Sequence, residues 1–538
     1  MNLKRLLLGI IIATFLLRIP TFFDPHWYFD EGIYATVGSQ WLKGSKLYTN
    51  IWDHKPPGLF LIYGLACLLE RTSTIDILFW ARLLACLAVI LTQIALYKIA
   101  RRLFNHQKVL SLSVGNLKFG TWIFFTPVFL YGLLTSLPFW EGYMANGEIF
   151  ESVFGTWGIF FLVKNLNPKT RNYLTAGLLL GTAALIKPVA IAEIILGYLV
   201  ILKSCQHQKA VPKHPKRTQN KLRRPLGVYT LGLIIPLVIA GIYFFAQRSL
   251  GDFIYANIIY NLKYTSSNPA TFEEEIVFNF LRIIAFSTAI YLLWQKKELS
   301  PAAISLGWLI LAVISATLSL RPYTHYLVQL FPPLCLLSTT AFGIKTTKVS
   351  HCLLPIVWCL LILIPLNQRI KLTENIPYQF NQFNYFQNFL SRVTGNKTSQ
   401  EYINFFGHNV ASNQKILDRL ASLEEMLITN HSVFIWGGGE APWLYYDLSQ
   451  LGLKPATRFT NYFHAEANPE GIEETIKSLR ENPPSFIIIF PNAPRFEELK
   501  KLVNQLYLPV ENFQEAAIYL KAQNLEPGIQ SQPKEAQR

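Results

Sequence analysis

The sequence is dominated by apolar runs long enough to cross a membrane as helices. A bilayer core of about 30 Å needs roughly 20 apolar residues in a helix. Only 15% of the 538 residues are charged, against about 25% in a typical soluble domain, which excludes a chain that is soluble throughout. The pattern predicts a polytopic α-helical membrane protein with runs near residues 6–23, 77–97, 119–137, 149–163, 172–202, 226–247, 276–294, 301–320, 323–343 and 349–366.

Two apolar segments do not fit a single span. The run 172–202 is too long and holds Lys187-Pro188 near its centre; because proline interrupts a helix, we expect two spans, 172–186 and 188–202. The segment 57–69 would rise only about 20 Å as a helix, less than the membrane core. If it does not cross, the basic loops share the side of Lys4 and Arg5. We therefore expect about eleven spans, a cytoplasmic N-terminus and an interfacial helix over 57–69.

The net charge of +16 follows this topology. Basic residues concentrate in loops on the predicted cytoplasmic side, where the loop 203–224 would also contact anionic membrane lipids. We therefore expect membrane lipids, and no nucleic acid, as partners. The cysteines lack the spacing of metal ligands, so we expect neither a disulfide framework nor a cysteine-bound metal.

The composition changes after residue 366, where charged and amide residues become common. The segments 432–436 and 486–490 predict buried strands, and helical patterns surround them near 413–428, 440–451, 470–481 and 495–507. We expect a transmembrane region over 1–366, with a first outer loop over 24–76. A small extracytoplasmic α/β domain over 367–523 and a disordered tail over 524–538 would follow.

The first outer loop concentrates ionisable residues next to the membrane. Asp30 and Glu31 follow the first span directly, and the apolar spacing over 33–41 predicts an interfacial helix that Gly44 ends. Asp53 and Lys55 come next, before a pair of prolines. Charged groups at this depth are costly and usually functional.

This set of residues suits transfer of a group from a lipid phosphate. A carboxylate can take a proton from an acceptor hydroxyl, and a lysine can bind phosphate and stabilise a phosphate leaving group. The spacing alone is equally consistent with a purely structural role. In that role, Asp30 and Glu31 cap the helix, and Lys55 extends its stem to the interface.

Several motifs, in order along the chain, resemble glycosyltransferase family 39. That family includes bacterial aminoarabinose transferases and protein O-mannosyltransferases, which have the GT-C fold. The resemblance covers roughly residues 5–366, and its motifs are Asp30-Glu31, Lys55-Pro56-Pro57, Arg82-Leu83, Ala145-Asn146-Gly147-Glu148, Gly177 to Lys187-Pro188, and Arg321 to Tyr326 followed by Pro332-Pro333.

The resemblance implies a membrane enzyme of the bacterial plasma membrane. It would move a sugar from a polyprenyl-phosphate donor to an acceptor on the outer face, with inversion. Asp30 matches the catalytic base, Glu31 stands beside it, and Glu148 matches a second outer acid. The resemblance also implies donor-phosphate contacts from Lys55, Lys187 and His325.

The family pattern differs here at one position. In the aminoarabinose transferases, an acid before the lysine of the Lys-Pro-Pro turn helps to bind a metal, and His54 stands there in this sequence. Protein mannosyltransferases carry a histidine in the related turn and act without metal. We expect no cofactor, while a divalent metal stays open. We expect supporting roles in the site from Arg82, Asp53, His54 and Tyr326.

Other classes of protein also act on lipid-linked sugars. A transporter or flippase would carry charges inside several spans and often inverted repeats, and the sequence has few such charges and no repeat. A polymer ligase would concentrate its charges in one large late outer loop. A relative without activity is disfavoured by Asp30, Lys55 and Glu148. The acceptor, whether lipid, glycan or protein, stays open at this point.

Overall fold

The computed structural model describes residues 3–104, 113–114, 117–118, 124–164, 170–207, 215–266, 272–295, 300–319, 321, 323–343, 382–424, 431–439, 441–512 and 516–522. Within these residues, five helices are long and apolar enough to cross a membrane: Leu3–Phe23, Ile77–Phe104, Pro188–Cys205, Arg223–Ala246 and Glu275–Trp294. The chain is therefore an integral membrane protein. The expected run 349–366 and the tail 524–538 lie outside the described residues, and the total of about eleven spans stays a prediction.

Fourteen α-helices precede residue 367 in the part of the chain that the structure describes. Their bounds are α1 (Leu3–Arg18), α2 (Phe29–Leu42), α3 (Pro57–Arg71), α4 (Ile77–Phe104), α5 (Thr126–Ser136), α6 (Gly147–Val163), α7 (Thr170–Ile186), α8 (Ile191–His207), α9 (Pro215–Ala246), α10 (Leu250–Ile254), α11 (Tyr260–Ser266), α12 (Phe272–Trp294), α13 (Pro301–Ala316) and α14 (Phe331–Gly343). Turns of 3₁₀ helix cover Ile19–Phe23, Pro138–Trp140, Pro188–Ala190 and Thr324–Leu330, and Tyr255–Ile259 forms a π turn. A two-residue antiparallel pair joins β1 (Ser113–Val114) to β2 (Leu117–Lys118).

Prolines set two helix boundaries. The long apolar run divides at Lys187, between α7 and the 3₁₀ turn that leads into α8, as the sequence predicted. The predicted span 323–343 is wrong in its first part, because a 3₁₀ helix occupies 324–330 and α14 begins only at Phe331. The Pro332-Pro333 pair explains this start, since proline is tolerated in the first turn of a helix and not in its interior.

Helix α2 is packed on every side. The sequence predicted a helix lying in the interface, yet every residue from Glu31 to Gln40 is buried. Two glycines permit this packing: a Cβ on Gly38 would lie 2.9 Å from the Phe60 carbonyl oxygen of α3, and one on Gly32 would lie 2.8 Å from the Trp443 side chain. Helix α3, with 15 residues, rises about 22 Å and is too short to cross the membrane core.

The C-terminal part forms an α/β domain around one mixed sheet. Its elements are α15 (Gln382–Val393), α16 (Ser399–Asn404), α17 (His408–Glu424), β3 (Ser432–Trp436), α18 (Ala441–Gln450), β4 (Lys454–Pro455), α19 (Tyr462–Ala467), α20 (Gly471–Glu481), β5 (Phe486–Ile489), α21 (Glu497–Leu506), β6 (Tyr507–Asn512) and β7 (Ala517–Lys521). The strand order is β4-β3-β5-β7-β6, with β3 parallel to β4 and β5, and β7 antiparallel to β5 and β6. The sequence predicted β3 and β5 but missed the edge strands β4 and β6 and the inner strand β7.

The α/β domain sits directly on the segment 24–76. Helix α18 packs against α2, where Thr36 Oγ1 donates to the Pro442 carbonyl at 2.7 Å and Trp443 Nε1 donates to the Tyr28 carbonyl at 2.7 Å. A second contact runs through the backbone, with Trp52 N donating to the Arg458 carbonyl at 2.9 Å. The domain therefore covers the loop that carries the predicted site residues.

Candidate active site

The first turn of α2 presents a partly exposed carboxylate between a lysine and a histidine side chain. Asp30 Oδ1 lies 3.8 Å from Lys55 Nζ, and Asp30 Oδ2 lies 3.9 Å from His325 Nε2. The Asp30 side chain retains 18% of its exposure, against 8% for His325. Of the two predicted acids of the first motif, Asp30 is therefore the one that faces an accessible space.

A strained turn holds Lys55 in this position. Tyr48 has φ 70°, a left-handed backbone that is rare for a bulky residue, and its hydroxyl donates to the Lys55 carbonyl at 2.9 Å. Lys55 N donates to Asp53 Oδ1 at 2.9 Å, and Lys55 Nζ lies 3.5 Å from Asp53 Oδ2. Burial alone would lower the pKa of Lys55, but Asp53 and Asp30 raise it above its ordinary value. The ammonium group is thus held as a cation beside Asp30.

A second ion pair lies on the other side of His325. Glu148, in the first turn of α6, is buried and pairs with Lys187 at the junction of α7 and the 3₁₀ turn. Lys187 Nζ also lies 5.0 Å from the centroid of the Tyr326 ring, a cation–π distance. His325 Nε2 is 4.0 Å from Glu148 Oε1. The structure therefore brings together Asp30, Lys55, Glu148, Lys187, His325 and Tyr326, which the sequence placed in five separate segments.

Glu31 and Arg82 lie behind this site. Arg82 donates to both oxygens of Glu31, at 3.0 and 2.7 Å, and pairs with Asp24. Glu31 also accepts from Ala145 N at 2.8 Å, so its carboxylate braces the loop before α6. Burial raises the pKa of Asp24 to about 6, although Arg82 acts against that shift. This geometry gives Glu31 and Arg82 a bracing position, away from the accessible face of Asp30.

Three side chains beside Lys55 have the donor set of a metal site. Ligand atoms of Asp53, His54 and His464 all lie within 4.8 Å of one another. Asp53 Oδ2 and His54 Nδ1 are buried, and neither has a hydrogen bond among the described residues. One carboxylate and two imidazoles are typical ligands of zinc and similar divalent metals. The residues present therefore fit a divalent metal.

The charges of these three side chains are set by their burial and by one another. Burial would raise the pKa of Asp53, but Lys55, His54 and His464 lower it to about 2. Burial is the main cause that lowers the pKa of His464 to about 4 and that of His54 well below its ordinary value. Asp53 is thus ionised at neutral pH, and the two imidazoles are neutral, as metal ligands must be.

Three residues of the site were not predicted. His464 comes from α19 of the C-terminal domain, and no motif surrounds it in the sequence. Tyr28 and Glu141 contact His325, with Glu141 Oε2 accepting from the Tyr28 hydroxyl and from His325 Nδ1, each at 2.8 Å. Tyrosine and acidic residues are common in the loops of this chain, so the sequence gives no signal for Tyr28 or Glu141. Glu141 is distinguished by its left-handed backbone, which only the structure shows.

The fold was compared with known proteins. No protein-family model matches the chain, and no curated protein matches it. Among solved structures, ArnT from Cupriavidus metallidurans bound to undecaprenyl phosphate has 12% sequence identity and a TM-score of 0.55, covering 98% of this chain and 100% of that one. An Archaeoglobus fulgidus oligosaccharyltransferase tethered to an acceptor peptide has 10% identity and a TM-score of 0.44, covering 98% of this chain and 75% of that one. The likeness to ArnT extends over both the helical part and the α/β domain.

Proposed function

We propose that the chain, whose fold is similar to that of ArnT, is a membrane glycosyltransferase that moves a sugar from a polyprenyl-phosphate donor to an acceptor on the extracytoplasmic face, with inversion. The observation that carries the proposal is the Asp30 carboxylate, which is accessible and lies within 4 Å of both Lys55 Nζ and His325 Nε2. A base next to cations suits a reaction that deprotonates an acceptor and releases a phosphate. The undecaprenyl phosphate bound to ArnT supports the same class of donor.

Asp30 is the general base in this reaction. It takes the proton of the acceptor hydroxyl or amine as that atom attacks the anomeric carbon of the donor sugar. The new bond joins the acceptor atom to the anomeric carbon, and the bond from that carbon to the phosphate oxygen breaks. Attack from the face opposite the phosphate inverts the anomeric centre. The polyprenyl phosphate leaves with the bonding electrons and gains negative charge.

The cations of the site neutralise that charge. Lys55 is closest to the base, and Lys187 and His325 lie on its other side next to Glu148. Lys187 is paired with Glu148 in this structure, so binding a donor phosphate requires Lys187 to share its charge between the two anions. Glu148 then keeps Lys187 oriented towards the site before the donor arrives.

A divalent metal is a further part of the proposal. Asp53, His54 and His464 would hold it, and it would supply positive charge near the donor phosphate. Since His464 belongs to the α/β domain, metal binding would also tie this domain to the first outer loop. The domain boundaries at 366 and 523, the bacterial plasma membrane and the outer location of the domain belong to the same proposal.

A transfer assay with matched variants tests the function. Membranes with equal amounts of wild type, Asp30→Asn or Asp252→Asn would receive polyprenyl-phosphate sugars with labelled headgroups. Removal of a general base lowers a rate by about 10²–10⁴-fold, so we expect transfer to fall at least about 10²-fold in Asp30→Asn. Transfer should stay unchanged in Asp252→Asn, whose carboxylate accepts from Thr49 Oγ1 at an exposed position. Equal transfer by wild type and Asp30→Asn would contradict the assignment of the base. No transfer of any donor, with labelled lipid appearing across the membrane, would favour a transporter or flippase.

A further inference from the structure

The ring of His325 is fixed from one side by a carboxylate and faces two others. His325 Nδ1 donates to Glu141 Oε2 at 2.8 Å. On the opposite edge of the ring, Nε2 lies 3.9 Å from Asp30 Oδ2 and 4.0 Å from Glu148 Oε1. A bond from the far nitrogen of a histidine to a carboxylate fixes both its orientation and its proton distribution.

Glu141 holds this position in spite of an unfavourable backbone. Its φ of 55° and ψ of 16° place it in the left-handed region, where a side chain brings Cβ close to the backbone and glycine is preferred. Such strain persists where the surroundings enforce it, and it concentrates at functional sites. The surroundings here include a second donor to the same oxygen, the Tyr28 hydroxyl at 2.8 Å, which itself accepts from Asn146 Nδ2 at 3.1 Å.

The charges around His325 are mainly negative. Asp30 comes from α2, Glu148 from α6 and Glu141 from the turn before α6, while Lys187, at the end of α7, is the cation on this side. The other titratable groups that face the His325 ring are phenols. The Tyr28 oxygen lies 3.2 Å from Nδ1, and the rings of Tyr323 and Tyr326 pack against the imidazole. Burial would lower the pKa of His325, but Glu148 and Glu141 raise it above its ordinary value.

We propose that Glu141 is a positioning residue, which fixes the His325 ring through Nδ1 so that Nε2–H points at Asp30 and Glu148. The role rests on the proposed function. A carboxylate on Nδ1 also favours the doubly protonated ring, so His325 is a cation beside the base. The cation lies 3.9 Å from the Asp30 carboxylate and stays available to the phosphate that leaves. Transfer is therefore lost as the pH rises through the titration of His325.

The first test measures the titration of His325 directly. Full-length protein labelled with ¹⁵N-histidine is placed in lipid nanodiscs, and the His325 resonance is assigned from its loss in His325→Asn. We expect the wild-type midpoint to lie above 6.5 and the Glu141→Gln midpoint to lie at least about one pH unit lower, a tenfold change in proton affinity. Asp252→Asn is the matched control and should titrate like wild type. Glu141→Asp, which keeps the charge, should titrate above Glu141→Gln.

A second variant covers the case in which Glu141→Gln does not fold. Glu141→Gly removes the carboxylate and suits a φ of 55°, so it should fold and show the same lowered midpoint. Equal midpoints in wild type and either uncharged variant would overturn the role of Glu141.

The pH profile of transfer separates this role from the proposed function. If Glu141 acts as proposed, the alkaline limb of kcat moves to lower pH in step with the His325 midpoint. If the His325 midpoint shifts but wild type transfers no donor sugar, the role of Glu141 is supported and the proposed glycosyltransferase function is refuted. If wild type transfers sugar but neither the His325 midpoint nor the alkaline limb moves in the variants, the role of Glu141 is refuted and the proposed glycosyltransferase function is kept.

Discussion

Loss of the Arg82 guanidinium should destabilise the protein strongly, because it leaves two buried carboxylates without their cation. Arg82 is fully buried, donates to both oxygens of Glu31 and pairs with Asp24. It also donates to the Thr21 carbonyl at 3.0 Å. Removing one partner of a buried ion pair typically costs about 3–5 kcal/mol. We expect the Arg82→Met substitution to lower the free energy of unfolding by an amount in that range at pH 8.

The loss should depend on pH. Burial already raises the pKa of Asp24 to about 6, and Arg82 opposes that shift. Without Arg82, the pKa of Asp24 in the folded state rises further above its value in the unfolded chain. The penalty of the ionised carboxylate is then complete above the folded-state pKa and disappears as the pH falls towards the unfolded-state value. We expect a smaller loss at pH 5 than at pH 8.

Unfolding by SDS in mixed micelles, followed by far-ultraviolet circular dichroism, measures this free energy. Arg102→Met is the matched control, since Arg102 lies exposed at the end of the same helix, α4. The triple variant Asp24→Asn, Glu31→Gln, Arg82→Met removes all three charges and should recover much of the stability. A loss below about 1 kcal/mol in Arg82→Met, or a triple variant that is no more stable than Arg82→Met, would refute the charge-based explanation.

Three further outcomes follow from contacts around the candidate site and under the α/β domain. Lys187→Met leaves Glu148 buried without its cation, so transfer should fall at least about tenfold and recover partly in Lys187→Arg; equal rates would contradict its role. His464→Ala should lower the divalent metal bound per purified chain, measured by plasma mass spectrometry, and unchanged content would exclude His464 as a ligand. His26 Nδ1 and Nε2 lie 2.9 Å from Asp447 and 3.1 Å from Asp76; burial would lower the pKa of His26, but the two carboxylates raise it well above its ordinary value. The extra free energy of unfolding of wild type relative to His26→Phe should therefore be fully present below about pH 6.5 and should decline as the pH rises through the raised pKa. A difference that does not depend on pH would contradict the ion pair.

Local patterns in the sequence predicted much of the fold. The division of the run 172–202 at Lys187-Pro188 was predicted from proline chemistry, and strands β3 and β5 from short apolar runs. The likeness of fold to ArnT agrees with the resemblance that was drawn from motif order along the chain. Two expectations were wrong for identifiable reasons. Helix α2 is buried on all sides because a second domain covers it, and α14 begins late because of its proline pair.

The candidate site was also visible only in part from the sequence. The residue types that suit base and phosphate chemistry, Asp30 and Lys55, both lie in the segment 24–76 and are visible in the sequence. The Glu141–His325 contact joins residues 184 positions apart, and His464 reaches Asp53 from a different domain.

The sequence by itself determined that the chain is mainly helical and membrane-embedded, because hydropathy and proline act within one or two turns of the chain. Only the tertiary structure decided which side chains face one another. That choice depends on how closely helices approach, as at Gly32 and Gly38, and on which buried charges find partners. Neither the approach of the helices nor the pairing of buried charges can be derived from a local run of residues. Together they place His325 between Glu141 and Asp30.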